Sequence, residues 1–323
     1  MTEGRTTTER AQAFVSMEEL LRLKHRAHGF SFMPRQPVHS LLAGRHASRL
    51  RGRGLNFEEL RHYVEGDDTR TIDWLATARM GNPFVRVYSE ERDRPVLLIV
   101  DQRSTMFFGS RRMMKSVAAA EAAALAAWRV TSLGDRVGGV VFGDSGATEV
   151  KPLGRDAGVV RLLSEVVRYN DTLGKAAAMD AAGGLNEALE RAVRLATHDW
   201  LVCLISDASG EDADTARLIT RLTAHNDVLA IYIFDPLEHD LPDLGPSVFS
   251  SGSAEIEVDL SPASLRRRFS EDKASWRARL AALSRRRSIP VLPVSTDRDV
   301  ATQLRELIGR RSAKHLASVG AGR

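Results

Sequence analysis

The chain has 323 residues, of which 43% are hydrophobic and 27% charged, a balance typical of globular proteins with ample length to bury a core. No apolar run approaches the roughly 20 residues of a membrane span, and one cysteine excludes a disulfide framework and suits a reducing cytoplasm. The net charge of +4 is uneven, because Pro262 to Arg323 holds 15 Lys and Arg against 5 Asp and Glu.

In chain order, residues 1–15 read as a disordered polar leader without the apolar core of a signal peptide. Ser16-Met17-Glu18-Glu19 is a capping-box pattern, and Leu20, Leu21 and Leu23 continue it as a helix to about His28. Residues 29–50 read as irregular around Pro34 and Pro37. With His39, Arg45, His46, Arg49, Arg51 and Arg53 this stretch is basic, either a solvated loop or an anion or partner site.

Two extended segments, Thr71 to Ala78 and Phe84 to Tyr88, flank Gly81-Asn82-Pro83, which is a hairpin signal. On such a strand Ile72 and Trp74 share one face, expected to be buried, and Asp73 takes the other. Between Arg51 and Arg94 there are 8 arginines and 9 acids. That balance predicts internal pairing of Arg61, Arg70 and Arg79 with Glu58, Asp67, Asp68 and Asp73 rather than a nucleic-acid face.

From Pro95 the pattern alternates between strand and helix. Val96 to Val100 is an unbroken apolar run entering Asp101, as suits a central strand buried on both faces. A helix follows from about Met113 to Leu133, closed by Gly134. Val137 to Phe142 is a strand, with Thr148 to Pro152 as its short antiparallel partner. Helices are expected at 156–168 and 184–197, and Trp200 to Ser206 is a second buried strand ending at Asp207. Beyond it come a helix at 213–225, strands at Val228 to Phe234 and Ala254 to Asp259, and a helix opened by Ser261 and Pro262. Leu265, Phe269, Trp276, Leu280 and Leu283 give that helix an apolar stripe. Ser288 to Val294 is the last strand, with a closing helix after Asp299.

Several apparent motifs have simpler readings. Gly143-Asp144-Ser145-Gly146 copies a serine-protease sequence, but that chemistry needs a histidine base and another fold, so a hairpin turn fits better. Cys203 lies among apolar strand residues and reads as inert core. The histidines show no metal-ligand spacing, and no phosphate-binding glycine loop is present. Arginine triplets at 266–268 and 285–287 bracket one helix, whose basic face suits solvent or an acidic protein.

The series Gly54, Phe57-Glu58, Arg61, Tyr63, Gly66-Asp67-Asp68, Arg70, Ile72-Asp73-Trp74 and Ala78-Arg79 resembles the signature of the domain of unknown function 58 family. Asp101-x-Arg103-x-Thr105 resembles the Asp-x-Ser-x-Ser metal loop of von Willebrand factor A domains. The resemblance covers roughly residues 20–300. It implies an α/β fold, a von Willebrand A-like (Rossmann-like) mostly parallel sheet with helices on both faces, plus an N-terminal helix and β-hairpin extension. The division it suggests is 1–15, a leader; 16–94, the helix and hairpin segment; 95–312, the von Willebrand A-like domain; and 313–323, a flexible tail.

The first and fourth strands of such a sheet lie side by side, so Asp101 and Asp207 should face each other at its carboxyl edge. The family-type metal site would use Asp101, Thr105 and Asp207, but Arg103 and Gly183 stand where further hydroxyl ligands belong. Arginine cannot ligate a cation, and its charge can neutralise Asp101. The cofactor expected is therefore none, or Mg²⁺. The family resemblance implies a non-enzymatic adaptor or assembly factor for a MoxR-type AAA+ ATPase. The single cysteine, the lack of a long apolar run and the balanced charge of 51–94 point to the cytoplasm, without membrane insertion or nucleic acid. The alternatives are an Mg²⁺-dependent ligand-binding domain and a metal-dependent hydrolase.

Overall fold

The computed structural model describes residues 11–28, 55–90, 95–174, 183–238, 241–251 and 254–309. The basic stretch at 39–53 and the tail at 313–323 lie outside them. The chain divides into two compact units, residues 1–34 with 94–323, and residues 35–93.

In chain order the larger unit starts with α1 (Met17–Arg22), whose Ser16 and Glu19 form the expected capping box. The smaller unit holds β1 (Leu55–His62), α2 (Trp74–Met80) and β2 (Phe84–Glu90). The larger unit then resumes with β3 (Val96–Asp101), α3 (Lys115–Ser132), β4 (Val137–Gly143), β5 (Gly146–Leu153), α4 (Arg155–Asn170), α5 (Gly183–Leu195), β6 (Leu201–Ser206), α6 (Ala213–His225) and β7 (Asp227–Phe234). It ends with the hairpin β8 (Pro246–Ser251) and β9 (Ala254–Asp259), then α7 (Ala263–Arg286), β10 (Val291–Ser295) and a helix α8 over 300–309.

Six strands form one sheet in the order β10-β7-β6-β3-β4-β5. All neighbours are parallel except the edge strand β5, which returns antiparallel from β4 through the Asp144-Ser145 turn. The alternation of β3 explains the layers. Val96, Leu98 and Val100 join one core with α1, α3, α4 and α8, while Leu97 and Ile99 join a second with α5 and α6. Alanine makes up much of α3, so that helix lies close against the sheet with most of its surface buried. Among the described residues, no helix is long and apolar enough to cross a membrane.

The first helix belongs to this sheet unit rather than with the hairpin segment, because Leu20, Leu23 and Ala27 bury themselves in its core. Residues 11–15, expected to belong to the leader, are ordered; residues 1–10 lie outside the described residues. Val15 is buried, and its N–H donates to Asn170 Oδ1 at 2.9 Å. Asn170 in turn donates to Gln102, and Gln102 to the Ser116 carbonyl. Gln12 bridges to the loop before α3. Buried amide groups demand partners, and this polar chain ties residues 11–15 into the fold.

The smaller unit departs most from expectation. Its hairpin pairs β1 with β2, and Thr71 to Ala78 is not a strand. Asp73 accepts from the N–H groups of Leu75 and Ala76 at 3.0 Å each and so starts α2, while Gly81 with φ 77° ends it. An N-cap aspartate followed by Trp-Leu-Ala-Thr-Ala-Arg-Met outweighs the alternation read from Ile-Asp-Trp. Ile72 still bridges to Val85, but Trp74 is 69% exposed instead of buried.

The ion pairs are half as foreseen. Arg61 holds Asp67 through two contacts of 2.7 Å, and Asp73 is held by an arginine, though it is Arg86. Asp68 caps the turn at Thr69 instead of pairing with Arg70. Arg70 and Arg79 make no ion pair among the described residues. Trp74→Ala should therefore shift stability by no more than about 0.5 kcal/mol, as for other exposed positions. Asp73→Ala, which removes both the cap and the Arg86 pair, should lower the thermal midpoint further than Trp74→Ala does. A larger loss for the tryptophan variant would contradict this placement.

Of the apolar stripe on α7, Phe269, Trp276 and Leu280 are half-buried, whereas Leu265 is exposed. The strand at 254–259 has a partner that the sequence did not announce, β8, and together they form a separate two-stranded sheet.

Candidate functional site

Three adjacent parallel strands each deliver an aspartate to the carboxyl edge. β3 ends at Asp101, β6 is followed by Asp207 and β7 by Asp235. Asp101 and Asp207 meet there as neighbours, as the strand order requires. Both are buried, with exposures of 0% and 2%. Carboxylates removed from water need compensation, and here it comes from the chain itself.

Arg103 is 1% exposed and lies flat on Asp101. Its Nε donates to Oδ1 at 3.0 Å and its Nη2 to Oδ2 at 2.7 Å, a bidentate pair, while its backbone N–H reaches Oδ1 at 3.1 Å. Ser206 Oγ donates to Oδ2 at 2.7 Å and accepts from the Ala208 N–H. Asp101 thus accepts four hydrogen bonds, the number its two oxygens can take. Arg103 Nη2 also donates to the Ser209 carbonyl and stands 3.9 Å from Asp207 Oδ1. The guanidinium further lies 5.3 Å from the Phe142 ring centroid.

Asp207 has its own cation. Lys115, the first residue of α3, is 2% exposed. Its Nζ donates to Asp207 Oδ2 at 2.8 Å and to Glu238 Oε1 at 2.8 Å. The Ser209 N–H covers Asp207 Oδ1 at 2.9 Å. Burial raises the Asp101 carboxyl above its ordinary range, with the Arg103 guanidinium pulling the other way. Asp207 is equally buried, yet the Lys115 ammonium and its hydrogen bond hold it below that range. Lys115 pays for burial, but Asp207 and Glu238 keep it charged and raise it above its usual value.

Asp235 is a clamp. It accepts from Ser110 N–H at 2.8 Å and Oγ at 2.6 Å, from Thr296 Oγ1 and from the Leu237 N–H, which fixes the loops after β3 and β10. Asp144 accepts from the Ser104 N–H with both oxygens at 3.1 Å. Behind the edge Cys203 is buried, and its thiol is pushed up to about 12 by burial, consistent with inert core.

The sequence foresaw Asp101, Asp207 and the neutralising role of Arg103. It missed Lys115, Glu238 and Asp235. Asp235 carried the same signal as the other two aspartates, an apolar strand entering an acid. Lys115 carried none, since a lysine at a helix start reads as solvated until the fold buries it. Gly183 opens α5, and its side-chain surroundings lie outside the described residues. The next residue, Gly184, would place a Cβ 3.2 Å from Arg103 Cδ, so the start of α5 is seated on the arginine stem.

The residues present do not suit a divalent ion. Mg²⁺ requires free oxygen lone pairs in near-octahedral array, and Asp101 has none left. Thr105 Oγ1 is buried without a hydrogen-bond partner, as a ligand would be, but a lone hydroxyl does not make a site. Among the described residues, no group of three or more His, Cys, Asp or Glu is arranged to hold a metal.

Residues 59–279 match the family described as Protein of unknown function DUF58. Uncharacterized protein Rv1480 of Mycobacterium tuberculosis is 30% identical over 286 residues, covering 88% of each chain. Uncharacterized protein Mb1516 of Mycobacterium bovis matches over the same length and identity. An aerotolerance-related membrane protein from Bacteroides fragilis is similar at 12% identity and a TM-score of 0.38, covering 68% of this chain and 99% of that one. A von Willebrand factor type A structure from Catenulispora acidiphila is similar at 16% identity and a TM-score of 0.35, covering 70% and 43%. With that family match spanning more than half of its length, the chain belongs to the family Protein of unknown function DUF58.

Proposed function

We propose that the protein is a non-enzymatic adaptor or assembly factor that works beside a MoxR-type AAA+ ATPase in the cytoplasm. The partner's class comes from the family resemblance. The observation that carries the adaptor reading is the state of the carboxyl edge. Asp101 and Asp207, where this fold could place a general base or a metal, are consumed in internal ion pairs. Such an edge is suited to hold a fixed surface for a partner rather than to turn over a substrate.

A second surface supports association. The solvent face of α7 carries Arg267, Arg268, Arg279, Arg285 and Arg286, with Arg287 just beyond, against Glu271 and Asp272. Exposed charge of one sign steers an oppositely charged partner and sets its on-rate. Replacing Arg285, Arg286 and Arg287 with serines should weaken binding to the ATPase by about tenfold at low salt, mostly through slower association. The difference should shrink once the screening length falls below about 10 Å, near 0.1 M salt. The thermal midpoint should not change. Equal binding by parent and variant, or a hydrolytic activity abolished by Asp101→Asn, would defeat the adaptor reading.

A further inference from the structure

We infer that this chain carries its own cations in place of a divalent metal, with Arg103 serving Asp101 and Lys115 serving Asp207 and Glu238. The inference concerns Lys115 above all, because nothing in the local sequence marks it as part of the edge.

Three observations support it. The first is charge. A divalent ion would bring two positive charges to the carboxyl ends of β3 and β6, and Arg103 and Lys115 bring two, Arg103 on Asp101 at 2.7 Å and Lys115 on Asp207 and Glu238 at 2.8 Å each. The second is geometry. Lys115 Nζ takes oxygens from two loops, Asp207 after β6 and Glu238 after β7, bridging elements as an ion does. Its ammonium carries three donors on a stem anchored at the start of α3. The third is saturation. Asp101 has no acceptor capacity left, so a metal could reach it only by displacing the arginine from its two carboxylate contacts.

The consequence is that the edge is permanently occupied. A site that binds Mg²⁺ reversibly can be switched by metal supply, whereas tethered cations cannot leave. The organisation of this edge should be indifferent to divalent ions and to chelators. This inference does not depend on the adaptor reading, since its test reads metal binding and not association with a partner.

The test titrates MgCl₂ and MnCl₂ into the full chain by calorimetry and follows the thermal midpoint with metal or with EDTA. The parent should give no saturable heat and no midpoint shift. Arg103→Ser removes the guanidinium but keeps the backbone donor and adds a hydroxyl beside Thr105, so it should bind Mn²⁺ at least about tenfold more tightly than the parent. Arg103→Ser combined with Lys115→Ser should bind more tightly still. A double variant that folds only when Mn²⁺ is present would support the inference as well. Should neither variant fold with or without metal, Arg103→Gln, which fills much of the arginine's space, carries no charge and can turn its amide oxygen toward a cation, takes their place with the same expected gain. One Mn²⁺ bound per parent chain would overturn the inference. So would folded variants that bind no more tightly than the parent, because the two side chains would then not be holding a cation's place.

Discussion

Lys115→Met should lower stability by about 3–5 kcal/mol, the range for removing one partner from a buried ion pair. The stem volume is nearly kept, so the loss is electrostatic rather than a cavity. Asp207, 2% exposed, would face Glu238 with no ammonium between them. Only the Ser209 N–H and the more distant Arg103 Nη2, at 3.9 Å, would remain on Asp207 Oδ1. The diagnostic result is a cycle. Adding Asp207→Asn to Lys115→Met removes the stranded charge, and the double variant should recover part of the loss instead of adding to it. Chemical denaturation of the four proteins would measure the coupling. A single-variant cost below 1 kcal/mol, the range of surface pairs, would mean that Lys115 is solvated and not built into the edge.

The second large effect is expected at Arg103. Arg103→Met should cost about 3–5 kcal/mol for the same reason, since it strands Asp101 at the centre of the sheet. Arg103→Lys should rescue little. A single ammonium cannot reproduce the two parallel donors that reach Oδ1 and Oδ2. The stem is also confined, because Gly184 at the start of α5 stands against Cδ. Rescue to parental stability by lysine would show that charge alone matters and that the bidentate geometry is incidental.

How much of this could be read beforehand follows from the range of the interactions. The sheet was legible because period-two alternation and long apolar runs are local signals, and β3, β4, β6 and β7 fell within a residue or two of expectation. Asp101 and Asp207 were legible for the same reason, since each follows an apolar strand and the strand order makes them neighbours. The hairpin unit was misread where two local signals compete. Ile72-Asp73-Trp74 alternates like a strand, but Asp73 caps a helix, and the capped turn prevails because its two N–H groups are satisfied at once. Lys115 and Glu238 were illegible for a different reason. They lie 123 residues apart, and only the fold brings them to 2.8 Å. In sequence residues 11–15 read as a leader because their anchor, the Asn170 side chain, is 155 residues away from Val15.

The claim that tethered cations hold the metal's place is tested most directly by anomalous diffraction from crystals of the full chain grown in MnCl₂. The account predicts no anomalous peak between Asp101 and Asp207, with Arg103 Nη2 and Lys115 Nζ remaining on their carboxylates. A manganese peak within coordination distance of both aspartates, with either basic side chain displaced, would contradict it.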